Sequence, residues 1–420
     1  NTTSDAGLLF FHRIIEKFKM CERISTCIAD PRNQSMVTHQ QFEQIKQRLL
    51  QLCAGYEDVN DAQSLRKDPM LTTLILGPGK QDKNQSALSS SPTLCRMENR
   101  VDRTALKGLI ELQVDLYVER NKNRFESEIK TSGFLNICMD IDTTDLETHG
   151  HQQLSFYNGY YEHTAYLPLV IADGDNGDLI TTIPRPGNKH GTWFLTLIIN
   201  GIINRILKQH PKAQFKLRAD SGFQSEVWFK YLESHDRVKA ATISLASNRS
   251  LERLTKQAVD NFEVAYKKRT DLTQELIHFG EFGYRAGSWS RYRRVVYQIQ
   301  NTRYGSTEVR YYFTTDHDRD SQAIKLNYNK RSDLENRIKE WKVQAFASRV
   351  SGESFLVNAF RMAISGFALI AFQELQKQLH NTELAKSYVS TIREKIIKVA
   401  GVIQETTRRF LITLPESYPY

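Results

Sequence analysis

The pattern of apolar and polar positions divides the chain into a helical first third and a strand-rich remainder. Residues 1–132 place apolar side chains at helical spacing, and HQQFEQIKQRLLQLCAGY (39–56) predicts an amphipathic helix that stops at Gly55. A polar, turn-rich linker, GPGKQDKNQSALSSS (77–91), interrupts this region, and DRTALKGLIELQVDLYVERNK (102–122) resumes helix. The first 132 residues therefore predict an all-helical region.

Residues 86–100, at the end of this linker, fit two structures. A Ser-rich turn precedes Pro92, which suits the start of a helix, and Thr93, Arg96 and Asn99 then line one side of that helix. This arrangement resembles the second half of a helix-turn-helix, in which Arg96 and Asn99 contact DNA. A capped helix in a helical bundle fits the same pattern.

From residue 134 strands alternate with helices, which favours an α/β fold. The predicted order is three strands, a helix, a strand, a helix and a strand: FLNICMDID (134–142), YLPLVIAD (166–173), DLITTIPR (178–185), GTWFLTLIINGIINRILKQ (191–209), AQFKLRAD (213–220), SEVWFKYLES (225–234) and VKAATIS (238–244). This is the order of an RNase H-like mixed sheet, and residues 133–258 are the first part of that predicted core.

The rest of the chain interrupts and then completes the core. Residues 259–320 are rich in Tyr, Val, Phe and Gly and predict an antiparallel β insertion. Residues 321–376 resume the core with a charged helix. Two further segments, GESFLVNAFRMAISGFALIAFQELQKQL (352–379) and STIREKIIKVAGVIQET (390–406), predict helices. The C-terminal region, 377–420, is a candidate for contacts between two copies of the chain.

Composition narrows the class of protein. A chain of 420 residues with 40% hydrophobic and 25% charged residues predicts two to four structural units. No uninterrupted apolar run reaches the roughly 18 residues that span a bilayer, so we expect no membrane partner. The net charge of +9 suits nucleic acid without establishing it. Five cysteines without a CxxC pair favour a reducing compartment. The chain begins at Asn1 without Met, so we expect residues before it, and a leader is not excluded.

Two acids stand where predicted strands end. Asp142 closes MDID, and Asp220 closes LRAD before a Ser-Gly turn into a helix. Ligand-binding groups gather at strand ends of open α/β sheets, although single acids there are more often turn formers or helix caps. Asp140 lies on the same strand face as Asp142, so alternation leaves both open as the functional acid, and Asp145 is a poorer candidate.

The segment YNKRSDLENRIKEWK (328–342) predicts a charged helix that docks through Leu334, Ile338 and Trp341. At helical spacing Tyr328, Arg331, Glu335 and Lys342 fall within roughly 60° of one another, beside this apolar stripe. They fit either a solvated charged face or one side of a functional site. A set of two Asp and one Glu suits hard cations such as Mg²⁺ or Mn²⁺.

Two such cations, about 3.5–4 Å apart, can activate a water or a 3′-hydroxyl in phosphodiester chemistry. This chemistry needs no nucleophilic side chain. Ser221 lacks the GxSxG context of a nucleophile, and the histidines near the core lack zinc-ligand spacing.

The spacing Tyr328-x2-Arg331-x3-Glu335-x6-Lys342 resembles the YREK signature of DDE insertion-sequence transposases. Together with MDIDTTDLETHGHQQLSFYNGYY (139–161), LRADSGF (217–223) and LENRIKE (334–340), it is similar to the bacterial insertion-sequence group numbered thirteen-eighty. The similarity covers roughly residues 134–420. DAGLLFF (5–11) and SSSPTLCRMENR (89–100) support it more loosely in the first third.

This resemblance implies an RNase H-like core with a β insertion, and Asp142, Asp220 and Glu335 as catalytic residues that bind two Mg²⁺ ions, which Mn²⁺ can replace. Asp140 is the alternative for the first position. Tyr328, Arg331 and Lys342 would face DNA ends, where Arg and Lys hold phosphates.

The segment YRAGSWSRYRR (284–294) alternates aromatic and basic residues, which suits stacking on unpaired bases and gripping the backbone. Related transposases form a DNA hairpin at the element end and place a flipped base on an aromatic ring. Trp289 is the candidate for that role, with Tyr284 or Tyr292 behind it and Arg291 and Arg293 beside it. A Trp buried in the sheet fits the pattern equally well.

The resemblance therefore predicts a cytoplasmic, nucleoid-associated bacterial transposase. It would bind the terminal inverted repeats of an insertion sequence as a homodimer, cleave the ends, and join 3′-hydroxyls to target DNA. Two alternatives stay open: an RNase H-like nuclease or resolvase without strand transfer, and a domesticated DNA-binding protein that no longer catalyses.

Overall fold

A computed structural model of the protein describes residues 1–78, 87–269, 275–301, 306–406 and 408–419. Most of the predicted linker at 77–91 and the first residue of the 86–100 segment lie outside the described residues. In chain order the strands are β1 (Thr2–Thr3), β2 (Leu135–Thr143), β3 (Leu146–Glu147), β4 (Phe156–Asn158), β5 (His163–Tyr166), β6 (Leu169–Asp173), β7 (Leu179–Ile183), β8 (Ala213–Ala219), β9 (Val238–Leu245), β10 (Ile277–Tyr284), β11 (Arg293–Asn301), β12 (Thr307–Thr314), β13 (Gly401–Glu405) and β14 (Phe410–Thr413).

Helices surround these strands and fill the first third of the chain. They are α1 (Leu8–Lys17), α2 (Met20–Cys27), α3 (Gln41–Ala54), α4 (Ala62–Leu65), α5 (Pro69–Leu76), α6 (Ser91–Glu98), α7 (Arg103–Arg120), α8 (Lys122–Ser132), α9 (Leu195–Gln209), α10 (Glu226–Ser234), α11 (Arg249–Lys267), α12 (Ser321–Asn329), α13 (Ser332–Lys339), α14 (Phe355–Gln378) and α15 (Val389–Ile392). Short 3₁₀ turns occur at Gln34–Met36, Val59–Asp61 and Ser221–Phe223, and π-helical turns at Glu340–Gln344 and Arg393–Ile397.

The centre of the fold is an eight-stranded mixed sheet in the order β10-β11-β12-β9-β8-β2-β6-β7. Strands β2, β8 and β9 are parallel, and the other neighbours are antiparallel. The predicted order of strands and helices over 134–245 is therefore confirmed. The chain therefore has the mixed α/β fold that the sequence predicts.

The predicted β insertion extends this sheet instead of forming a separate one. Strands β10, β11 and β12 form an antiparallel meander, and β12 pairs with β9 from Tyr311↔Leu245 to Thr314↔Thr242. The predicted boundary between residues 258 and 259 falls inside α11. The insertion thus begins with that helix, whose Asn248 side chain caps its first turn.

The helical first third packs directly on the core. A single hydrophobic cluster joins α1, α2, α3 and α5 to α13 and α14. Gln113 of α7 donates to the Ala363 carbonyl of α14 at 3.0 Å and accepts from the Thr182 amide of β7 at 2.8 Å. Because these groups are buried, they hold the first third against the sheet edge.

Helix α14 was predicted correctly, and it is the centre of this cluster. Its length and composition are those of a membrane-crossing helix, but 83% of its most apolar 18-residue window is buried inside the protein. The predicted boundary at residue 376 falls within this helix.

The prediction of helix over 390–406 is wrong for its second half. Residues after the π-helical turn form β13, which pairs with β1 on one side and β14 on the other. Val402 is exposed and Ile403 is buried, which is the alternation of a half-buried strand. The C-terminal region is therefore partly a small sheet, closed by a strand from the start of the chain.

Candidate active site

The pairing of β2 with β8 brings Asp142 and Asp220 together. These strands are parallel, and Ile141 pairs with Ala219, so each aspartate is the next residue beyond the same rung. Neighbouring strands lie about 4.8 Å apart, so both side chains lie at the same end of two adjacent strands. We call Asp142 and Asp220 the acid pair.

Asp140, the alternative first acid, is occupied elsewhere. It is buried, and both of its carboxylate oxygens accept from the Arg218 guanidinium, at 2.6 Å from Nε and 2.7 Å from Nη2. Arg218 lies directly across from Asp140 in the β2–β8 ladder. This bidentate pair engages both carboxylate oxygens of Asp140 within the sheet.

Asp142 is half-buried and faces one basic group. Nη2 of Arg331 lies 2.7 Å from its Oδ2 atom. Desolvation, opposed by Arg331 and reinforced by the charge of Asp220, raises the pKa of Asp142 to about 6. A carboxylate pair with a single buried counter-ion is therefore short of positive charge.

Asp220 is held by the turn that follows its strand. Its Oδ1 atom accepts from the Gly222 amide at 3.0 Å, which caps the 3₁₀ turn Ser221–Phe223. The predicted Ser-Gly turn thus fixes this carboxylate at the strand end. The loop after β7 packs on this turn, because a Cβ on Gly191 would come 2.6 Å from the Gly222 carbonyl oxygen.

The predicted helix over 328–342 is divided into three pieces. Tyr328 belongs to α12, Glu335 to α13, and Lys342 to the π-helical turn Glu340–Gln344. Leu334 and Trp341 are buried and Ile338 packs beside them, so the docking stripe was predicted correctly. Glu335 lies on the exposed side of α13.

The structure brings two members of the predicted metal-binding triad together without the third. Among the described residues, no group of three or more His, Cys, Asp or Glu side chains is placed to hold a metal ion. The acid pair itself fits a hard divalent cation, since both donors are carboxylates and they share a single buried arginine.

Tyr328, Arg331 and Lys342, which were predicted to face DNA, each contact other residues of this chain. Tyr328 donates to the Ala219 carbonyl at 3.3 Å and packs on Tyr312. Lys342 places Nζ 2.7 Å from Oδ1 of Asp145, whose Oδ2 atom lies 3.0 Å from Nε2 of His163. Tyr328 and Arg331 therefore lie beside the acid pair, whereas Lys342 is ion-paired with Asp145, three residues after Asp142.

Trp289 is a core residue in this structure. It is 8% exposed and packs edge-on against Phe229 and Tyr284, at 5.2 Å between ring centroids in each case. Of the two readings of the sequence, the structure favours the buried one, and the ring is not a surface for base stacking. Tyr284 is buried with it, whereas Tyr292 is 72% exposed.

The basic residues beside Trp289 also contact acids. The guanidinium of Arg293 is buried and donates to Glu226 at 2.6 Å and to Glu233 at 2.7 Å. Arg291 is exposed but lies 2.5 Å from Glu233. Arg293 is therefore a structural ion pair, and the prediction that it binds DNA is not supported by its surroundings.

Arg96 and Asn99 lie on the exposed side of α6, as the sequence predicted. Arg96 donates to the Thr93 hydroxyl at 3.3 Å, and Asn99 donates to the Cys95 carbonyl at 2.8 Å. Asn99 also lines a groove of about 560 Å³ shared with residues 351–354. Both side chains are open to a partner.

Sequence reasoning missed the residues that border the acid pair from the β4–β5 hairpin, above all Tyr161 and His163. Burial, together with the charges of Asp145, Asp142, Tyr160 and Asp220, raises the pKa of Tyr161 to about 12. The signal was present as three tyrosines within FYNGYYEH (156–163), a turn-forming stretch soon after Asp142.

Two carboxylates at neighbouring ends of parallel strands suit an enzyme that binds a divalent cation. The family model described as "Transposase DDE domain group 1" matches residues 1–420, and the chain belongs to this family. The protein is therefore a DNA transposase, and its family is one of DNA-cleaving enzymes that generally use divalent metals such as Mg²⁺.

One solved structure similar to this chain is "Cryo-EM structure of piggyBac transposase synaptic complex with hairpin DNA (SNHP)". The identity is 12%, the match covers 94% of this chain and 80% of that chain, and the TM-score is 0.46. A search of curated protein sequences finds no match.

Proposed function

We propose that this transposase cuts DNA at the ends of its own mobile element and joins the freed 3′-hydroxyls to target DNA. The observation that supports this proposal is the acid pair: two carboxylates at adjacent ends of parallel strands, facing one buried arginine. Carboxylates so arranged bind hard divalent cations, which stabilise the charge that develops in phosphodiester cleavage.

In this proposal Asp142 and Asp220 hold the cation, and Glu335 is the third ligand. Glu335 lies one helical turn after Arg331, on the exposed side of α13, where a ligand from solvent can reach it. Two Mg²⁺ ions, replaceable by Mn²⁺, would supply an activated water or 3′-hydroxyl and stabilise the leaving oxygen.

Arg331 balances the acid pair in the free protein. Its ion pair with Asp142 is buried, and Lys342 is paired with Asp145 in the same way. We infer that Arg331 and Lys342 contact DNA phosphates once divalent cations bind the carboxylates. Each of these two side chains then exchanges a carboxylate for a phosphate, which keeps the charge of the site near balance.

The proposed DNA contacts outside this centre begin at α6. Arg96 and Asn99 are exposed there and belong to the segment that resembles a helix-turn-helix. We propose that they bind the terminal inverted repeats, that two copies of the chain pair two ends as a homodimer, and that cleavage passes through a hairpin intermediate.

The test is cleavage of end-containing DNA by purified wild type, Asp220→Asn and Glu335→Gln in Mg²⁺ or Mn²⁺. The proposal expects both substitutions to abolish cleavage while DNA binding, measured by fluorescence anisotropy, stays within about threefold. Cleavage by either variant at the wild-type rate would refute that residue's role.

A strand-transfer assay with labelled 3′ ends separates the proposal from its alternatives. Joined products support transposition. Cleavage without joining would indicate a nuclease or resolvase, and binding without metal-dependent cleavage would indicate a domesticated DNA-binding protein.

A further inference from the structure

The hairpin of β4 and β5, residues 156–166, presents tyrosines beside the acid pair. Its ladder pairs Tyr157 with Thr164 and Asn158 with His163, and the turn between them carries Tyr160 and Tyr161. Tyr157 and Tyr160 are 67% and 86% exposed. We call residues 156–166 the tyrosine hairpin.

The turn of this hairpin is held rigidly by Asn158. The Asn158 side-chain oxygen accepts from the amides of Tyr160 at 2.9 Å and Tyr161 at 3.3 Å. Its carbonyl accepts from the Glu162 amide at 2.8 Å, and Glu162 takes a left-handed conformation with φ 60°. Because these bonds order the backbone of the turn, the backbone that carries the tyrosines loses little conformational freedom when they bind a partner.

Tyr160 and Tyr161 form an aromatic corner. Their ring centroids lie 4.9 Å apart with planes at 88°, and Tyr161 also stacks over His163 at 6.0 Å and 30°. The Tyr160 ring is thus highly exposed and meets Tyr161 at nearly a right angle. An exposed ring on an ordered turn is suited to stacking on a planar base.

His163 connects the hairpin to the segment that follows β2 and Asp142. Nε2 of His163 lies 3.0 Å from Asp145, which in turn binds Lys342 at 2.7 Å. Asp145 follows Asp142 by three residues, and the Tyr161 phenol is close enough to the acids of this edge for their charges to raise its pKa. The aromatic corner therefore borders the proposed cleavage site.

The loop after β7 also packs against the hairpin. The Gly187 amide donates to the Leu154 carbonyl at 3.1 Å, and a Cβ at Gly187 would come within 1.9 Å of the Ala165 carbonyl oxygen. Only glycine permits this approach. The same loop carries Lys189, whose Nζ lies 5.4 Å from the Trp193 ring centroid.

We propose that the tyrosine hairpin stacks on an unpaired base of the DNA at the acid pair, with Tyr160 as the stacking ring. The inference rests on the proposed function, because it requires DNA at that edge. It assigns base stacking to residues 156–166 instead of the predicted Trp289, whose ring is buried. Stacking there would hold the nucleotide next to the cleaved bond.

The test uses a DNA duplex with a five-nucleotide 3′ overhang that carries 2-aminopurine at one position, moved along the overhang in a series. A matched series has an abasic site at the same position. Binding is measured in the Asp220→Asn background, where DNA is not cut. We expect quenching of 2-aminopurine and about 5- to 20-fold tighter binding than the abasic duplex at one position.

Tyr160→Ala should remove both the quenching and the preference for the base, and Tyr160→Phe should keep them. Phe10→Ala is the matched control, since Phe10 is an exposed aromatic that faces the C-terminal segment. Tyr292→Ala tests the rival site. A preference that survives Tyr160→Ala, or is lost only in Tyr292→Ala, overturns the inference.

The two proposals fail separately in this design. Cleavage that persists in Asp220→Asn refutes the proposed catalytic role and leaves the stacking measurement interpretable, because binding does not require cleavage. Circular dichroism of each variant shows whether a lost preference reflects unfolding. Loss of preference in a folded Tyr160→Ala variant supports the hairpin even if Asp220 is not catalytic.

Discussion

Two acid-rich strand ends lie in the same sheet and have opposite surroundings. One is the acid pair at the ends of β2 and β8. The other is the turn between β6 and β7, residues 173–178, which we call the acidic turn. Asp178 binds Arg120 at 3.0 Å and Lys377 at 2.7 Å, and Asp173 binds Arg124 and accepts from the Tyr117 hydroxyl at 2.7 Å.

The comparison shows that the protein supplies different amounts of positive charge to Asp178 and Asp142. Burial acts to raise the pKa of Asp178, but Arg120 and Lys377 together hold it below its ordinary value. The pKa of Asp142 is instead raised to about 6 by burial and by Asp220, despite Arg331. Asp178 is balanced by two cationic side chains of the protein, whereas Asp142 has one and is better suited to accept a further cation.

The largest expected effect separates the two sites by activity. Asp142→Asn and Asp178→Asn replace the same atoms at the two strand ends. Loss of a cation ligand removes several kcal/mol of transition-state stabilisation, so Asp142→Asn should lower the cleavage rate on the order of 10³-fold. Asp178→Asn should stay within about threefold per folded molecule. Rates equal in the two variants would contradict the comparison.

The second prediction concerns the free energy of unfolding, for which the acidic turn should matter more than the acid pair. The Arg120 side chain is fully buried and bridges Asp178 and Glu374. Arg120→Met leaves both acids without this partner and should reduce the free energy of unfolding by about 3–5 kcal/mol. Urea denaturation followed by circular dichroism measures it, and Lys122→Met, an exposed lysine at the start of α8, is the control. A change under about 1 kcal/mol in Arg120→Met would show that the turn is not held by charge.

The third prediction concerns divalent cations. A ligand that binds only the folded state stabilises it by RT ln(1 + [L]/Kd), or about 1.4 kcal/mol at ten times Kd. Mn²⁺ should therefore raise the melting temperature of the wild type by a few degrees. The shift should vanish in Asp220→Asn and persist in Asp175→Asn, a substitution at an exposed acid of the acidic turn. Persistence in both variants would place the cation elsewhere.

The smallest effect is a difference in acid sensitivity. The pKa of Asp178 is lower in the folded protein than in the unfolded chain, so its contribution to stability is complete above about pH 4 and is lost as the pH falls further. Asp178→Asn should therefore flatten the decline in unfolding free energy below pH 4. Urea midpoints between pH 3 and pH 6 measure this, with Asp175→Asn as control. An unchanged slope would mean that Asp178 is not held by its bases.

The core and its strand-end acids were predictable because their signals are local. A continuous run of apolar residues predicts buried strands such as 134–142, and the Ser-Gly turn after Asp220 indicates the end of its strand. The choice between Asp140 and Asp142 was not predictable, since alternation puts both on one face. Arg218, which lies 78 residues further along the chain on β8, distinguishes the two by binding Asp140.

Other outcomes depended on partners that are distant in the chain. Gly401 and Val402 form a strand because β1, at the opposite end of the chain, pairs with them, whereas the local pattern favours helix. Trp289 is buried because Phe229 on α10 and Tyr284 on β10 enclose it. The position of Glu335 relative to the acid pair follows from the breaks between α12, α13 and the π-helical turn, which helical periodicity does not reveal.

The direct pairing of β12 with β9 has a geometric consequence. Four strand-to-strand steps separate β8, which Asp220 directly follows, from the edge strand β10. At about 4.8 Å per step these steps span roughly 19 Å, close to the rise of about six base pairs. Because hydrogen bonds connect every step, the sheet fixes the distance between Asp220 and the β10 edge; under the proposed function, a DNA contact at that edge would lie a constant distance from the cleaved bond.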